Sequence, residues 1–284
     1  NGSQIVKGNF QHPLHLNKHC GSGTVGKIID IYDKTVRIKN KQTDLTVFVA
    51  LHNRSLGVPR LIDEFLDIHW LKKLRKVKLV INGAEPVKVE DLPEQLEIEF
   101  KNIKNEFSEN VFFSDWLCNP EGSDFLLTLS GDGDYKLSDF LVAYKHLGNS
   151  SNGAVFGTRV QSRNQFLTAL SSAYTENKIL LRLSQLGAFV LSFLFSLRSG
   201  LLFTDPITGF RCYRRKEIKN KIKQPRIVKD YIRSPSELSL FLIKEGVDIG
   251  EIPVSYRTYS GFTDPTWRIK RALKSLRGLI WKRP

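Results

Sequence analysis

The stretch FLLTLSGDGD, residues 125–134, decides how the rest of the chain is read. Its first six residues, Phe125 to Ser130, form a short, nearly continuous apolar run. Such a run, closed by turn residues, reads as a strand buried on both faces, as in a parallel sheet. It breaks at once into Gly131-Asp132-Gly133-Asp134. Two carboxylates one residue apart at a strand end point the same way, and together they can hold a divalent cation. The glycine between them lets the backbone approach a ligand closely. The competing reading is an ordinary acidic turn, because Asp and Gly are common turn residues.

Working outward, the pattern repeats. Thr46-Val-Phe-Val-Ala-Leu51, Lys78-Leu-Val-Ile-Asn82, Leu96-Glu-Ile-Glu-Phe100 and Gly153-Ala-Val-Phe-Gly157 read as further strands. Residues 59–75 carry Leu61, Phe65, Ile68 and Leu71 at helical steps, and residues 166–202 read as mainly helical. Ile249-Gly-Glu-Ile-Pro-Val254 returns to strand. This alternation predicts an α/β fold with a mostly parallel central sheet flanked by helices. In such sheets ligands sit at the carboxyl ends of the strands, which is where the 131–134 loop falls.

Residues 1–44 differ from this pattern. Lys27 to Tyr32 and Thr35 to Lys39 flank Asp33-Lys34 as a two-strand hairpin, so this part reads as an added module or the tail of a preceding domain. The main domain then spans 45–255, and 256–284 form a basic tail. The 284 residues carry 43 basic against 29 acidic side chains, a net charge of +14. Such a surface attracts polyanions, phosphorylated ligands or anionic lipid. Cys20, Cys118 and Cys212 are widely spaced, which speaks against a disulfide framework and for a reducing compartment. The given sequence has no Met and reads as a fragment, and its first residues show no export signal. Leu186 to Phe203, the most apolar stretch, is too short and too interrupted to span a bilayer. It reads as a buried core helix or a second contact surface.

Four ordered motifs give a resemblance. Phe125 to Asp134 is a strand followed by DxD, and Gly157-Thr158-Arg159 follows the next strand. Asp205-Pro-Ile-Thr-Gly-Phe-Arg211 comes next, and Glu251-Ile-Pro-Val-Ser-Tyr256 is followed by Arg257, Gly261 and Thr263. Between about residues 45 and 275 the chain resembles the family 2 glycosyltransferases, in particular the branch of dolichyl-phosphate mannose synthase and related polyprenyl-phosphate glycosyltransferases. The resemblance implies a GT-A fold and an inverting sugar transfer dependent on Mg2+ or Mn2+. It implies metal ligation by Asp132 and Asp134, donor contacts from Asn53, Asn82 and Asp132, and a catalytic carboxylate in Asp205 that positions or activates the acceptor. It also implies that Arg159, Arg211 and Arg257 gather acceptor phosphate, a task suited to the guanidinium's planar fork of donors.

The chain departs from the family pattern at three places. Arg54 stands where the first loop usually carries an acid, Asn82-Gly83-Ala84 replaces an acidic strand end, and Lys136 follows the DxD where Gln is usual. Two further patterns carry little. Gly21 to Lys27 fits a phosphate-loop spacing, but Ile28 and strand-like sequence follow where Ser or Thr and a helix should stand. His12, His15, His19 and Cys20 lack a recognised zinc spacing.

From Trp267 the tail holds Arg268, Lys270, Arg271, Lys274, Arg277, Lys282 and Arg283 with no acid, around an apolar helical stripe ending near Trp281. A helix of this kind lies in a bilayer interface or packs on the core with a solvated basic side. The expected partners are a nucleotide-diphosphate sugar, a polyprenyl phosphate or glycan acceptor, and an anionic membrane surface. The expected location is cytoplasmic, peripheral at the inner face of the membrane. No nucleic acid is expected, and a homo-oligomer is compatible with the sequence. The alternatives are an enzyme acting on capsular or cell-wall polysaccharide and a non-catalytic basic module for membrane or nucleic acid. A nucleotidyltransferase would need a glycine-rich opening where His52-Asn53-Arg54 stands.

Overall fold

The structure is a computed structural model. It describes residues 43–51, 58–67, 74–84, 92–104, 108–130, 135–159, 178–232 and 234–256, together with Leu273 and Leu276. The hairpin expected in residues 1–44, the phosphate-loop and histidine patterns there, and most of the tail lie outside the described residues.

Seven strands form one sheet. They are β1 (Asp44–Ala50), β2 (Lys76–Asn82), β3 (Leu96–Lys101), β4 (Phe125–Ser130), β5 (Ala154–Thr158), β6 (Phe210–Arg214) and β7 (Ile249–Pro253). The order across the sheet is β3-β2-β1-β4-β6-β5-β7. All pairings are parallel except those of β6, which runs antiparallel to both β4 and β5. The expected mostly parallel α/β sheet is therefore present, and each strand expected after residue 45 has its counterpart. The connections are α1 (Val58–Asp67), α2 (Ser108–Cys118), α3 (Phe140–Asn149), α4 (Lys178–Ser199), α5 (Arg215–Lys221), α6 (Arg226–Tyr231) and α7 (Pro235–Lys244), with a 3-10 turn at Leu137–Asp139.

The sheet separates two apolar layers. On one side Leu45, Val47, Leu79, Leu127 and Val155 pack with Leu61 and Phe65 of α1 and with Phe140 and Leu147 of α3. On the other, Phe48, Val80, Phe156 and Tyr213 pack with Phe113 and Trp116 of α2, Leu191 and Phe195 of α4, and Leu238 and Leu242 of α7. Burial on both faces explains the continuous apolar runs that betrayed the strands.

Two features of the sheet build its carboxyl rim. The chain moves from β1 outward to β3 and returns to β4 on the other side of β1, so the strand order reverses between β1 and β4. In open α/β sheets such a reversal leaves a ligand crevice at the strand ends. Here Ala50 of β1 and Ser130 of β4 are paired at that end. Because β6 is antiparallel, its beginning lies at the same rim, with Phe210 opposite Leu129 and Arg211 opposite Phe156. The segment that enters β6, residues 203–209, is thereby carried to the ends of β4 and β5.

Candidate functional site

At the rim, Asp205 is 4 % exposed and is gripped from two sides by the Arg159 guanidinium. Nε donates to Oδ2 at 2.6 Å and Nη2 to Oδ1 at 2.7 Å, a forked pair, while the Arg159 backbone N–H reaches Oδ2 at 3.3 Å. The guanidinium lies 5.2 Å from the centre of the Tyr256 ring. Burial pulls its pKa down, but the charge and hydrogen bonds of Asp205 outweigh this and hold it well above the ordinary arginine value.

Glu251 fixes the loop that carries Asp205. Its carboxylate accepts from the N–H groups of Thr204 and Asp205, at 3.0 and 3.1 Å, and from the Thr204 hydroxyl at 3.1 Å. Thr204 Oγ1 also shares a 2.7 Å hydrogen bond with Thr158 Oγ1 at the end of β5. Burial raises the Glu251 pKa to about 7, with the charge of Asp205 adding to the effect against the hydrogen bonds it accepts.

A second pair of contacts ties the segment after residue 134 to the exit of β7. Tyr135 and Tyr256 form an antiparallel bridge with ring centroids 5.1 Å apart. The Tyr135 hydroxyl accepts from Gly209 N–H at 2.9 Å, and burial raises its pKa. Asp139 accepts from the Ser255 N–H at 2.6 Å, and burial lifts its pKa to about 6. Glu64 of α1 accepts from Leu137 N–H at 2.9 Å.

Glycine is required at two rim positions. Gly83, after β2, has φ +90°, and a Cβ there would stand 3.0 Å from the Leu51 carbonyl oxygen. At Gly157 in β5 a Cβ would meet the Val254 methyls at 2.6 and 2.8 Å and Phe210 Cβ at 2.9 Å. Close approach of β5, β6 and the end of β7 depends on its absence.

The site residues expected from sequence separate into three groups. Asp205 and Arg159 are brought together, bonded to each other. Asp132, Asp134, Asn53 and Arg257 lie outside the described residues, as does the departing Arg54, although the flanking Leu51, Ser130, Tyr135 and Tyr256 are all described. Asn82 and Arg211 are found in structural duties. Asn82 is 6 % exposed, and its Oδ1 accepts from Ile103 N–H at 2.6 Å.

Arg211 corrects an expectation. It is 3 % exposed, and it donates to the carbonyls of Thr208, Pro206 and Pro235 at 3.2, 3.0 and 2.8 Å. Its guanidinium lies 4.7 Å from the centre of the Phe156 ring. Its fork is thus directed into the protein and anchors the 205–209 loop instead of facing an acceptor phosphate. Sequence reading passed over Glu251, Tyr135 and Asp139 as site residues. A lone acid inside the strand IGEIP was the available signal for Glu251. Among the described residues no group of three or more His, Cys, Asp or Glu forms a metal-ligand cluster.

The chain matches no protein-family model, and no curated protein matches it in sequence. Solved structures do resemble it. Glucosyl-3-phosphoglycerate synthase from Mycobacterium tuberculosis in complex with uridine diphosphate is similar with a TM-score of 0.51 at 11 % identity, over 84 % of this chain and 79 % of that one. The same enzyme with Mn2+, UDP-glucose and phosphoglyceric acid gives 0.49 at 11 % identity, over 84 % and 79 %. The 4-diphosphocytidyl-2C-methyl-D-erythritol synthase from Anaerococcus prevotii gives 0.45 at 11 % identity, over 82 % and 96 %. At this identity the likeness is one of fold, and the fold is GT-A-like. The narrower resemblance to the dolichyl-phosphate mannose synthase branch has no counterpart among these structures.

Proposed function

We propose that this chain is an inverting glycosyltransferase that moves a sugar from a nucleotide-diphosphate sugar to a membrane-associated acceptor, a polyprenyl phosphate. The observation that carries the reading is the Arg159–Asp205 pair, held at the carboxyl rim by the antiparallel strand β6 beside the end of β4. The strand-order reversal between β1 and β4 supports a donor site there. So does the shared fold, since the M. tuberculosis enzyme was solved with uridine diphosphate bound.

In this reading the diphosphate faces the 131–134 loop, whose two carboxylates are a hard-oxygen donor set suited to Mg2+ or Mn2+. When bound there, the cation supplies Lewis-acid stabilisation of the leaving diphosphate. Asn53 and Asn82 border the donor, Asn82 through the loop it shapes by holding Ile103. Arg159 and Arg257 receive the acceptor's phosphate, and Asp205 sets the angle of the Arg159 fork. A phosphate acceptor is already anionic and needs little base assistance, so a carboxylate saturated by an arginine suffices. A sugar hydroxyl would need a base that Asp205, so paired, supplies poorly. That preference places the polysaccharide acceptor second.

The test is a transfer assay with labelled nucleotide sugars, offering polyprenyl phosphate or oligosaccharide to the full chain in Mn2+. Lipid-linked product that disappears in Asp132→Ala and Asp134→Ala is expected. Product on the oligosaccharide alone would refute the acceptor, and undiminished turnover in both variants would refute the metal assignment.

A further inference from the structure

Residues 131–134, on which the proposed metal contacts fall, are joined at both ends to described structure. At one end Ser130 closes β4, a strand paired on both sides within the sheet. At the other stands Tyr135, directly after Asp134 and 5 % exposed. A four-residue span held in this way passes a displacement to whichever end yields, and a central strand yields least. That leaves Tyr135.

Tyr135 reaches the Arg159–Asp205 pair by two separate routes. Its hydroxyl accepts from Gly209 N–H at 2.9 Å, and the same loop is closed by Thr208 N–H donating to the Asp205 carbonyl at 3.2 Å. Its ring lies 5.1 Å from that of Tyr256, which in turn lies 5.2 Å from the Arg159 guanidinium. The first route ends on Asp205 and the second on Arg159, the two members of one ion pair. The charges of both act on the Tyr135 phenol. Burial alone would be served by phenylalanine, so the hydroxyl is the atom that specifies Gly209.

We infer that Tyr135 is a positioning residue that couples the 131–134 loop to the Arg159–Asp205 pair, so that a nucleotide diphosphate held at the first tightens the binding of a phosphate acceptor at the second. This rests on the proposed function for the two ligands, whereas the coupling between the two loops rests on the contacts alone. By linkage the effect is reciprocal, and the acceptor tightens the nucleotide by the same factor. Its size is bounded by the contact that transmits it: one net hydrogen bond changes an equilibrium about three- to tenfold. Two other ties brace the same segment elsewhere. Glu64 accepts from Leu137 N–H and Asp139 from Ser255 N–H, fixing it to α1 and to the exit of β7. Neither contact involves residues 205–209.

The experiment titrates uridine diphosphate with Mn2+ into the full chain by calorimetry, with and without farnesyl phosphate, for the parent, Tyr135→Phe and Glu64→Ala. In the parent, farnesyl phosphate should tighten uridine diphosphate about three- to tenfold. In Tyr135→Phe that factor should fall below about twofold, the loss expected when the transmitting hydrogen bond is removed. Glu64→Ala cuts the tie to α1 and should keep the factor, which separates positioning from general loosening. A factor retained in Tyr135→Phe would overturn the inference. So would a factor lost equally in Glu64→Ala, or one absent from a parent that binds both ligands. Hydrogen exchange across residues 203–210 is measured on the ligand-free proteins. It should run about three- to tenfold faster in Tyr135→Phe than in the parent, and equal exchange would contradict the coupling. A parent that binds no uridine diphosphate with Mn2+ would count against the proposed chemistry, and the exchange result would then judge the coupling by itself.

Discussion

Replacing Arg159 by Met removes the cation from a carboxylate that is 4 % exposed while keeping an apolar stem beside Tyr256. Breaking one side of a buried ion pair costs about 3–5 kcal/mol, because the remaining charge is left without compensation. The Arg159 side chain is 20 % exposed, so water reaches the vacated side and the lower end, about 3 kcal/mol, applies. At about 2–4 °C per kcal/mol for a chain of this size, the melting temperature should fall by about 6–12 °C. Asp205→Asn leaves the less buried partner unpaired and should cost less, about 1–2 kcal/mol. The double variant removes both charges, so its loss should be smaller than the sum by about 1–3 kcal/mol. Thermal and urea unfolding of the four proteins measure all of this. Additive losses, or an Arg159→Met melt within about 2 °C of the parent, would refute the reasoning.

Other positions give further expectations. Glu251 titrates near 7 in the folded chain against an ordinary value near 4.5, so its folded form favours the proton; stability from this group is full below about 4.5 and is lost as pH rises through 7. Glu251→Gln, which mimics the protonated acid, should therefore gain on the parent by about 1–2 kcal/mol between pH 6 and pH 8, read by thermal melts across that range. Arg211→Met takes a donor from the loop carbonyls of Pro206 and Thr208 and from that of Pro235 at the start of α7, and should cost about 2–3 kcal/mol in urea unfolding, a loss that a mere phosphate ligand at the surface would not give. Gly157→Ala forces a methyl against Val254 and Phe210 and should cost about 1–3 kcal/mol, with Val254→Ala restoring part of it in the double variant's melt.

The parallel part of the sheet was legible because strands buried on both faces must be apolar throughout, as in Phe125 to Ser130. Strand β6 was not. Phe210-Arg-Cys-Tyr-Arg214 carries two arginines in five residues, and in a sequence Arg211 looks like a surface ligand. In the fold its charge is absorbed by three carbonyls and the face of Phe156, a satisfaction set by tertiary contacts that local pattern does not encode. The same limit hid the helices between residues 215 and 244. At the site, Asp205 and Arg159 were both legible as chemistry, but not as partners, since 46 residues separate them in the chain and only the antiparallel insertion joins them. Helix α4 was visible as an apolar run, yet its two-sidedness, with Phe189 and Phe193 exposed, emerges only when the core claims Leu191 and Phe195.

The proposed transfer requires a nucleotide diphosphate held between the ends of β1 and β4 by the carboxylates of Asp132 and Asp134 through a divalent ion. Titration calorimetry of uridine diphosphate into the full chain, with Mn2+ and with chelator, measures this directly. Binding that requires Mn2+ and vanishes in Asp132→Ala and Asp134→Ala is the predicted result. Binding of equal strength in chelator, or in both variants, would contradict it.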